Sequence, residues 1–385
     1  MHLLIVSHSC ATATNQQIYA EMRRQTGWKL TIVAPAGWKD EFGNVLDEAP
    51  WPGLEAAVRK VPVWANGRIV LHGYRLDWRR FLAETRPDAI YVNHEPYAVA
   101  TGQVVAANRA TLRRPVGFYS CQNLAKRYPF PFSVIERMVY QECRFAFPIT
   151  EAVSAVLAAK GFAGERVVCP LALDPERYHP ALRAGTPPEL ERGAGEPRIG
   201  FVGRLVESKG LRTLAVALAD LTDVPWRLVL VGRGSFEERF RELAREGGFL
   251  ERVQFAGYVP HAETPRWLAA LDVLVLPSET QANWTEQFGR VIPEALACGV
   301  PVVGSDSGEI PNLIRTSGGG VVFPERNAGA LAGALRGFLA DAEGRKRCAE
   351  AGREWVRREV ALPAVAARMA ETVGRIAGKD GRGEG

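Results

Sequence analysis

Two glutamates eight residues apart, Glu286 and Glu294, stand in the stretch TEQFGRVIPEALACGVPVVGSDSGEIP, which runs from Thr285 to Pro311. An ionised carboxylate can only accept hydrogen bonds, so hydroxyl groups are its natural partners. The stretch follows the apolar run DVLVLP and reads as a loop, then Gly289, then a helical pattern. A helix start beyond a strand's carboxyl end offers free backbone N–H groups and the positive end of the helix dipole, which suit phosphate. Carboxylates repel phosphate, so the glutamates are left with the rings on either side of it. If the spacing is wholly helical, eight residues span about 12 Å, the order of a diphosphate flanked by two hydroxyl-rich rings. One glutamate would then hold a ribose and the other a sugar. The plain alternative is a pair of ordinary acidic residues that the dipole favours. A second constellation bears on the choice. GFVGRLVESKGL places Arg204 just past a strand and Lys209 near the next helix start. Cations there oppose the dipole and can neutralise a diphosphate. A diphosphate leaving group needs its developing charge stabilised. No Asp-x-Asp pair occurs in the chain, so no metal and no cofactor is expected. Arg204, Lys209 and the helix start are the available substitutes.

These residues must be positioned by a larger frame. Apolar runs at 3–7, 30–35, 89–93, 116–120 and 145–150 read as buried strands in the first half. Runs at 198–203, 227–232, 253–257, 272–277, 301–305 and 320–324 do so in the second. Helical patterns lie between them, at 131–143, 151–160, 208–220, 235–247, 262–271, 289–298 and 327–340. Continuous apolar strands separated by helices imply parallel sheets covered on both faces. Two such series imply two doubly wound, Rossmann-like α/β domains, with ligand crevices beyond the carboxyl ends of the strands. The Pro-, Gly- and charge-rich stretch 179–197 reads as the join. This gives an N-terminal domain over 1–185 and a C-terminal domain over 186–385, the last helix (about 355–375) being able to cross back. The tail 378–385 is expected to be disordered.

The second half resembles the retaining glycosyltransferases of family 4, which have the GT-B architecture of two such domains facing across a cleft. GFVGRLVESKG, LVLVGRG, VQFAGYV, DVLVLPS and EQFGRVIPEALACGVPVVGSDSGEIP carry the likeness, the last fitting an E-x7-E pattern. The likeness runs from about Arg198 to Phe323 and is weaker over 1–190, where LDPERYHP is similar to the end of the first domain. It implies that Glu286 contacts donor-sugar hydroxyls with help from the backbone around Phe288, Gly289 and Arg290. It implies that Glu294 holds the ribose, and that Arg204 and Lys209 hold the diphosphate. Gly257, Tyr258 and Val259 would lie near the base, and Gly308 and Glu309 would border the donor. Transfer with retention, the diphosphate oxygen helping to deprotonate the acceptor, is also implied. Two departures stand out. Where many members have a Gly-Gly loop after the first strand, this chain has SHSCATATNQQ, so Thr12, Thr14 and Asn15 are candidates for those contacts. Where many have a histidine beside the sugar, Gln122 stands. His94 and His8 follow strands and are candidates for the acceptor side or simple structural histidines. Trp284 is a candidate sugar platform or a packing residue.

Bulk properties narrow the classes. The net charge of +5 lies in residues 1–190, with 22 Lys and Arg against 17 Asp and Glu, while the remainder has 26 of each. Arg109, Arg113, Arg114, Lys126, Arg127, Arg137 and Arg144 face only Glu136 and Glu142. This basic 109–144 region fits either an anionic membrane surface or a solvated face, and it lacks the aromatic interleaving of a nucleic-acid site. No apolar run reaches the ~20 residues of a membrane span. No basic region precedes MHLLIVSHSC, so a cytoplasmic chain is expected, with contact at the inner face of a membrane as an option. The six cysteines include no C-x-x-C pair and read as free thiols. The expected activity is transfer of a hexose from a UDP- or GDP-sugar to a carbohydrate or lipid-linked acceptor. A nucleotide-sugar epimerase of the same architecture and a non-catalytic sugar-nucleotide binder are the alternatives.

Overall fold

The structure, a computed structural model, describes residues 1–40, 43–190 and 195–380. The chain forms two compact units, Met1–Ala172 joined by the chain from Leu362 onward, and Leu173–Ala361. The division thus follows Ala172, earlier than the linker composition suggested. Leu173 forms a parallel bridge with Ala361 inside the second unit. The 3-10 turn Pro180–Gly185 is tied there too, because the Arg266 guanidinium donates to the Gly185 carbonyl at 2.9 and 3.0 Å. Residues 191–194 of the supposed linker lie outside the described residues.

The first unit is built on seven parallel strands: β1 (His2–Val6), β2 (Lys29–Pro35), β3 (Val58–Val61), β4 (Ala89–Val92), β5 (Val116–Ser120), β6 (Phe145–Pro148) and β7 (Glu165–Arg166). Their order is β7-β6-β5-β4-β1-β2-β3. Successive residues of β1 alternate between two cores. Leu3 and Ile5 pack with Tyr91 and Phe147 on one face, Leu4 and Val6 with Ile90 and Val92 on the other. Burial on both faces is why such strands read as unbroken apolar runs. The edge strands β3 and β7 were not foreseen. Arg59 and Lys60 interrupt the first, as suits an edge, and the second has only two residues.

The helix Leu362–Asp380 returns to this unit. Its Val365, Ala366, Met369, Ala370, Val373 and Ile376 recur at helical spacing and join the core that holds Tyr19 and Met22 of the helix Gln17–Thr26. It begins seven residues after the helix Ala342–Trp355, past a π-helical turn at Val356–Val360. It also makes 378–380 of the tail helical, while 381–385 lie outside the described residues.

The second unit has six parallel strands: β8 (Arg198–Val202), β9 (Arg227–Val231), β10 (Val253–Gly257), β11 (Val273–Leu276), β12 (Val302–Ser305) and β13 (Gly320–Phe323), ordered β10-β9-β8-β11-β12-β13. All six match expected runs. All five foreseen helices are shorter than their patterns, at Leu211–Ala219, Glu237–Glu246, Thr264–Ala269, Val291–Ala297 and, by one residue, Ala328–Ala340. In both sheets the strand order turns around at a central pair, β1 with β4 and β8 with β11, the places where open α/β sheets hold ligands. The returning helix supplies a side chain that tests this frame. Met369→Ala is expected to cost the first unit about 2–5 kcal/mol, measured as a shift of its urea midpoint, with the second unit's transition unmoved.

Candidate functional site

Because β8 and β11 are neighbours, with Gly200 opposite Leu274, the loops after Val202 and Leu276 leave the sheet side by side. The first carries Lys209 in a 3-10 turn, Glu207–Lys209. The second carries Ser278 and Glu286. Gly210 closes the turn with φ +68°, and a Cβ there would lie 1.8 Å from the Pro277 carbonyl oxygen. Only glycine lets the two loops come this close. Lys209 Nζ then donates to Glu286 Oε2 at 2.5 Å, and Ser278 Oγ donates to the same oxygen at 2.8 Å. The Lys209 ammonium also stands 4.9 Å over the Trp284 ring. A third loop, after β12, braces Glu286 from behind. The Glu309 N–H donates to the Glu286 carbonyl at 3.1 Å. Gly308, with φ +56°, would bring a Cβ within 2.1 Å of that carbonyl oxygen. Lys209 and Glu286 are both largely buried, a costly arrangement unless each charge is paired and hydrogen-bonded.

Glu294 is held separately. The helix that carries it starts at Val291, not at Gly289, so Glu286 lies in the loop and the wholly helical span does not apply. Arg290 Nε donates to Glu294 Oε1 at 3.0 Å, and the Tyr178 hydroxyl donates to the same oxygen at 3.3 Å. Burial raises the Glu294 pKa, against the opposing pull of Arg290 and Tyr178. Phe288 is buried, and Gly289, at φ +66°, turns the chain from Glu286 toward the helix. Gly257 ends β10, followed by the exposed Tyr258 and the half-buried Val259. The buried Glu309 accepts from Asn312 Nδ2 at 2.5 Å. Arg204 is exposed on the loop after β8 and takes no part in the Lys209–Glu286 pair.

In the first unit Thr12 joins the two 3-10 turns that follow β1, and Thr14 and Asn15 lie in the second. Asn15 Nδ2 donates to the Ser9 carbonyl at 2.9 Å, and Gln122 Oε1 accepts from the Leu124 N–H at 3.1 Å. Both amides therefore brace their own loops. His94 is buried, with Nδ1 3.0 Å from His8 Nδ1 and Nε2 3.4 Å from the Tyr74 hydroxyl. His72 joins them, its ring centroid 4.9 Å from that of His94 and 5.6 Å from that of His8. Burial lowers all three pKa values, that of His8 to about 3 and that of His94 well below the ordinary range. Ser278, Tyr178 and His72 were not singled out beforehand. The first two stand inside recognised motifs, but a hydroxyl has no spacing signature, and His72 lies in an irregular segment.

Residues 186–355 match the family model described as glycosyl transferases group 1. The chain is 30% identical over 260 residues to a 2-deoxystreptamine glucosyltransferase of Streptomyces kanamyceticus, covering 64% of this chain and 65% of that protein. It is 32% identical over 224 residues to a GDP-mannose-dependent alpha-(1-6)-phosphatidylinositol monomannoside mannosyltransferase of Mycobacterium tuberculosis, covering 57% and 58%. The matches thus span less than two thirds of the length of these curated relatives. Among solved structures, HepE from Anabaena in complex with UDP superposes with a TM-score of 0.71 at 20% identity, over 97% of this chain and 100% of that one. The likeness in structure shows the fold, which is GT-B.

The three imidazoles lead to a pH dependence. Their folded pKa values lie below the ordinary 6.5, so the unfolded chain binds the extra protons, and stability present above pH 6.5 falls as pH drops toward about 3. Thermal melts between pH 7.5 and 5 are expected to show this loss. His8→Asn should flatten the slope.

Proposed function

We propose that this chain is a retaining, metal-independent glycosyltransferase of family 4 that moves a hexose from a UDP- or GDP-sugar to a carbohydrate or lipid-linked acceptor. The observation that carries the reading is the Lys209–Glu286–Ser278 cluster, which lies within the stretch matched by the family model. An ammonium has three N–H donors. Glu286 engages one, so Lys209 can hold its carboxylate and still present donors to diphosphate oxygens. The same contact anchors Glu286, a carboxylate suited to accept hydrogen bonds from sugar hydroxyls. Arg204, exposed on the same loop, adds a second cation for the diphosphate. Glu294 binds the ribose when ionised, and Tyr258 and Val259 border the base. The departing diphosphate takes the acceptor proton, so no protein base is needed. The relatives that use GDP-mannose and bind UDP support a nucleotide diphosphate donor without choosing between the bases.

A membrane-proximal acceptor fits a feature of the first unit. Phe130 and Val134 are 81% and 55% exposed, beside the exposed Lys126, Arg127 and Arg137. Apolar side chains ringed by cations suit an anionic lipid surface.

Two outcomes test these readings. With the donor identified by a thermal-shift screen of nucleotide sugars, Glu286→Gln is expected to lower kcat by about 10²–10³-fold, the scale of one lost transition-state contact, while UDP or GDP still raises the melting point. Turnover at the parent rate in Glu286→Gln would sink the proposal. In sedimentation with phosphatidylserine vesicles, binding should fall with salt and with Phe130→Ser. Equal recovery on neutral vesicles would remove the membrane reading.

A further inference from the structure

The first unit contains a second constellation, which the transfer chemistry does not use. His8 and His94 follow β1 and β4, the pair at which that sheet's order turns around, with Val6 opposite Val92. The register therefore delivers the two rings to one spot, stacked with centroids 4.7 Å apart. His72 reaches the same spot from the irregular segment before Gly73. One ring nitrogen from each of the three lies within 4.8 Å of the others. Trp38 closes one side, its ring 5.0 Å from His8 and 4.8 Å from His72.

Two details separate this cluster from ordinary packed histidines. His72 Nδ1 lies 2.9 Å from the Ile69 carbonyl, so Nδ1 carries the proton and Nε2 carries a lone pair. That Nε2 is fully buried and has no hydrogen-bond partner, although buried polar atoms are nearly always satisfied. Meanwhile His8 and His94 face each other Nδ1 to Nδ1 at 3.0 Å, near the roughly 3.4 Å that separates two nitrogens on a tetrahedral ion with bonds of about 2.1 Å. A backbone carbonyl behind one ring and a tyrosine hydroxyl behind another are the outer partners that orient metal-binding imidazoles.

We propose that His8, His72 and His94 form a three-histidine site for a first-row divalent cation, Zn²⁺ foremost. Imidazole suits such ions, and three protein ligands leave a fourth position open to water or a ligand oxygen. The cation takes the lone pair of His72 Nε2 and replaces the single proton that can lie between the two Nδ1 atoms. That proton moves to the other nitrogen of its own ring, so each imidazole stays neutral. The site belongs to the first unit and is distinct from the Lys209–Glu286 cluster, so it stands whether or not the transfer reading does.

The test uses the full chain, freed of metal with a chelator and titrated with ZnCl₂ against a chromophoric competitor. Expected are one tight equivalent per chain, a rise in melting temperature reversed by chelator, and ligand-field absorption with Co²⁺ in place of Zn²⁺. His8→Asn and His94→Asn should each weaken Zn²⁺ binding by at least 100-fold. His8 is the least buried of the three, so its variant, with folding checked by circular dichroism, decides the case even if substitution at His72 prevents folding. The proposal is overturned if the parent chain gains no stability from Zn²⁺, or if a folded His8→Asn protein binds Zn²⁺ as tightly as the parent.

Discussion

The constraint on which the second unit's chemistry depends is the pairing of β8 with β11. Parallel strands that are neighbours in the sheet but distant in sequence release their following loops into the same space. That adjacency carries Lys209 to Glu286 across 77 residues of chain. The loop after the next strand, β12, then supports Glu286 through its backbone. Glycines at 210 and 308 mark where backbone meets backbone too closely for any side chain. The sheet order thus acts on chemistry through three loop crossings, each resting on the one before.

A buried ion pair is poor evidence of stability, because removing both charges from water costs nearly as much as their attraction returns. Its worth lies in orientation. Glu286 Oε2 receives both Lys209 and Ser278, which anchors the carboxylate. The Glu294 site likewise gathers two partners, Arg290 and Tyr178, on one oxygen, but there burial opposes ionisation. The two acidic groups that look alike in sequence therefore sit in unlike environments. One is held by a cation from another loop, the other by its own helix and a tyrosine.

Much of this frame could be read beforehand, and the exceptions have physical causes. The central strands are buried on both faces, so their apolar runs are unbroken and easily found. The edge strands β3 and β7 are short or charged and carry no such signal. Helix ends were overdrawn because apolar spacing continues into flanking turns, as at 289–298, where the helix begins only at Val291. Glu286, Glu294 and Lys209 were visible as charges with a spacing. Ser278 and Tyr178 were not, since their part depends on which loops the sheet brings together. The expectation of no metal came from a missing acidic pair, a test that takes no account of histidines: His8 and His94 meet through strand register, and His72 joins them from an irregular segment.

The return of Leu362–Asp380 to the first unit has a consequence for how the chain acquires its shape during synthesis. The nascent N-terminal half emerges from the ribosome lacking one wall of its interior. Leu173–Ala361 is continuous and can close as soon as it is made. The later-translated unit needs nothing beyond residue 361 to be complete, while the earlier one keeps apolar surface open until that last segment arrives.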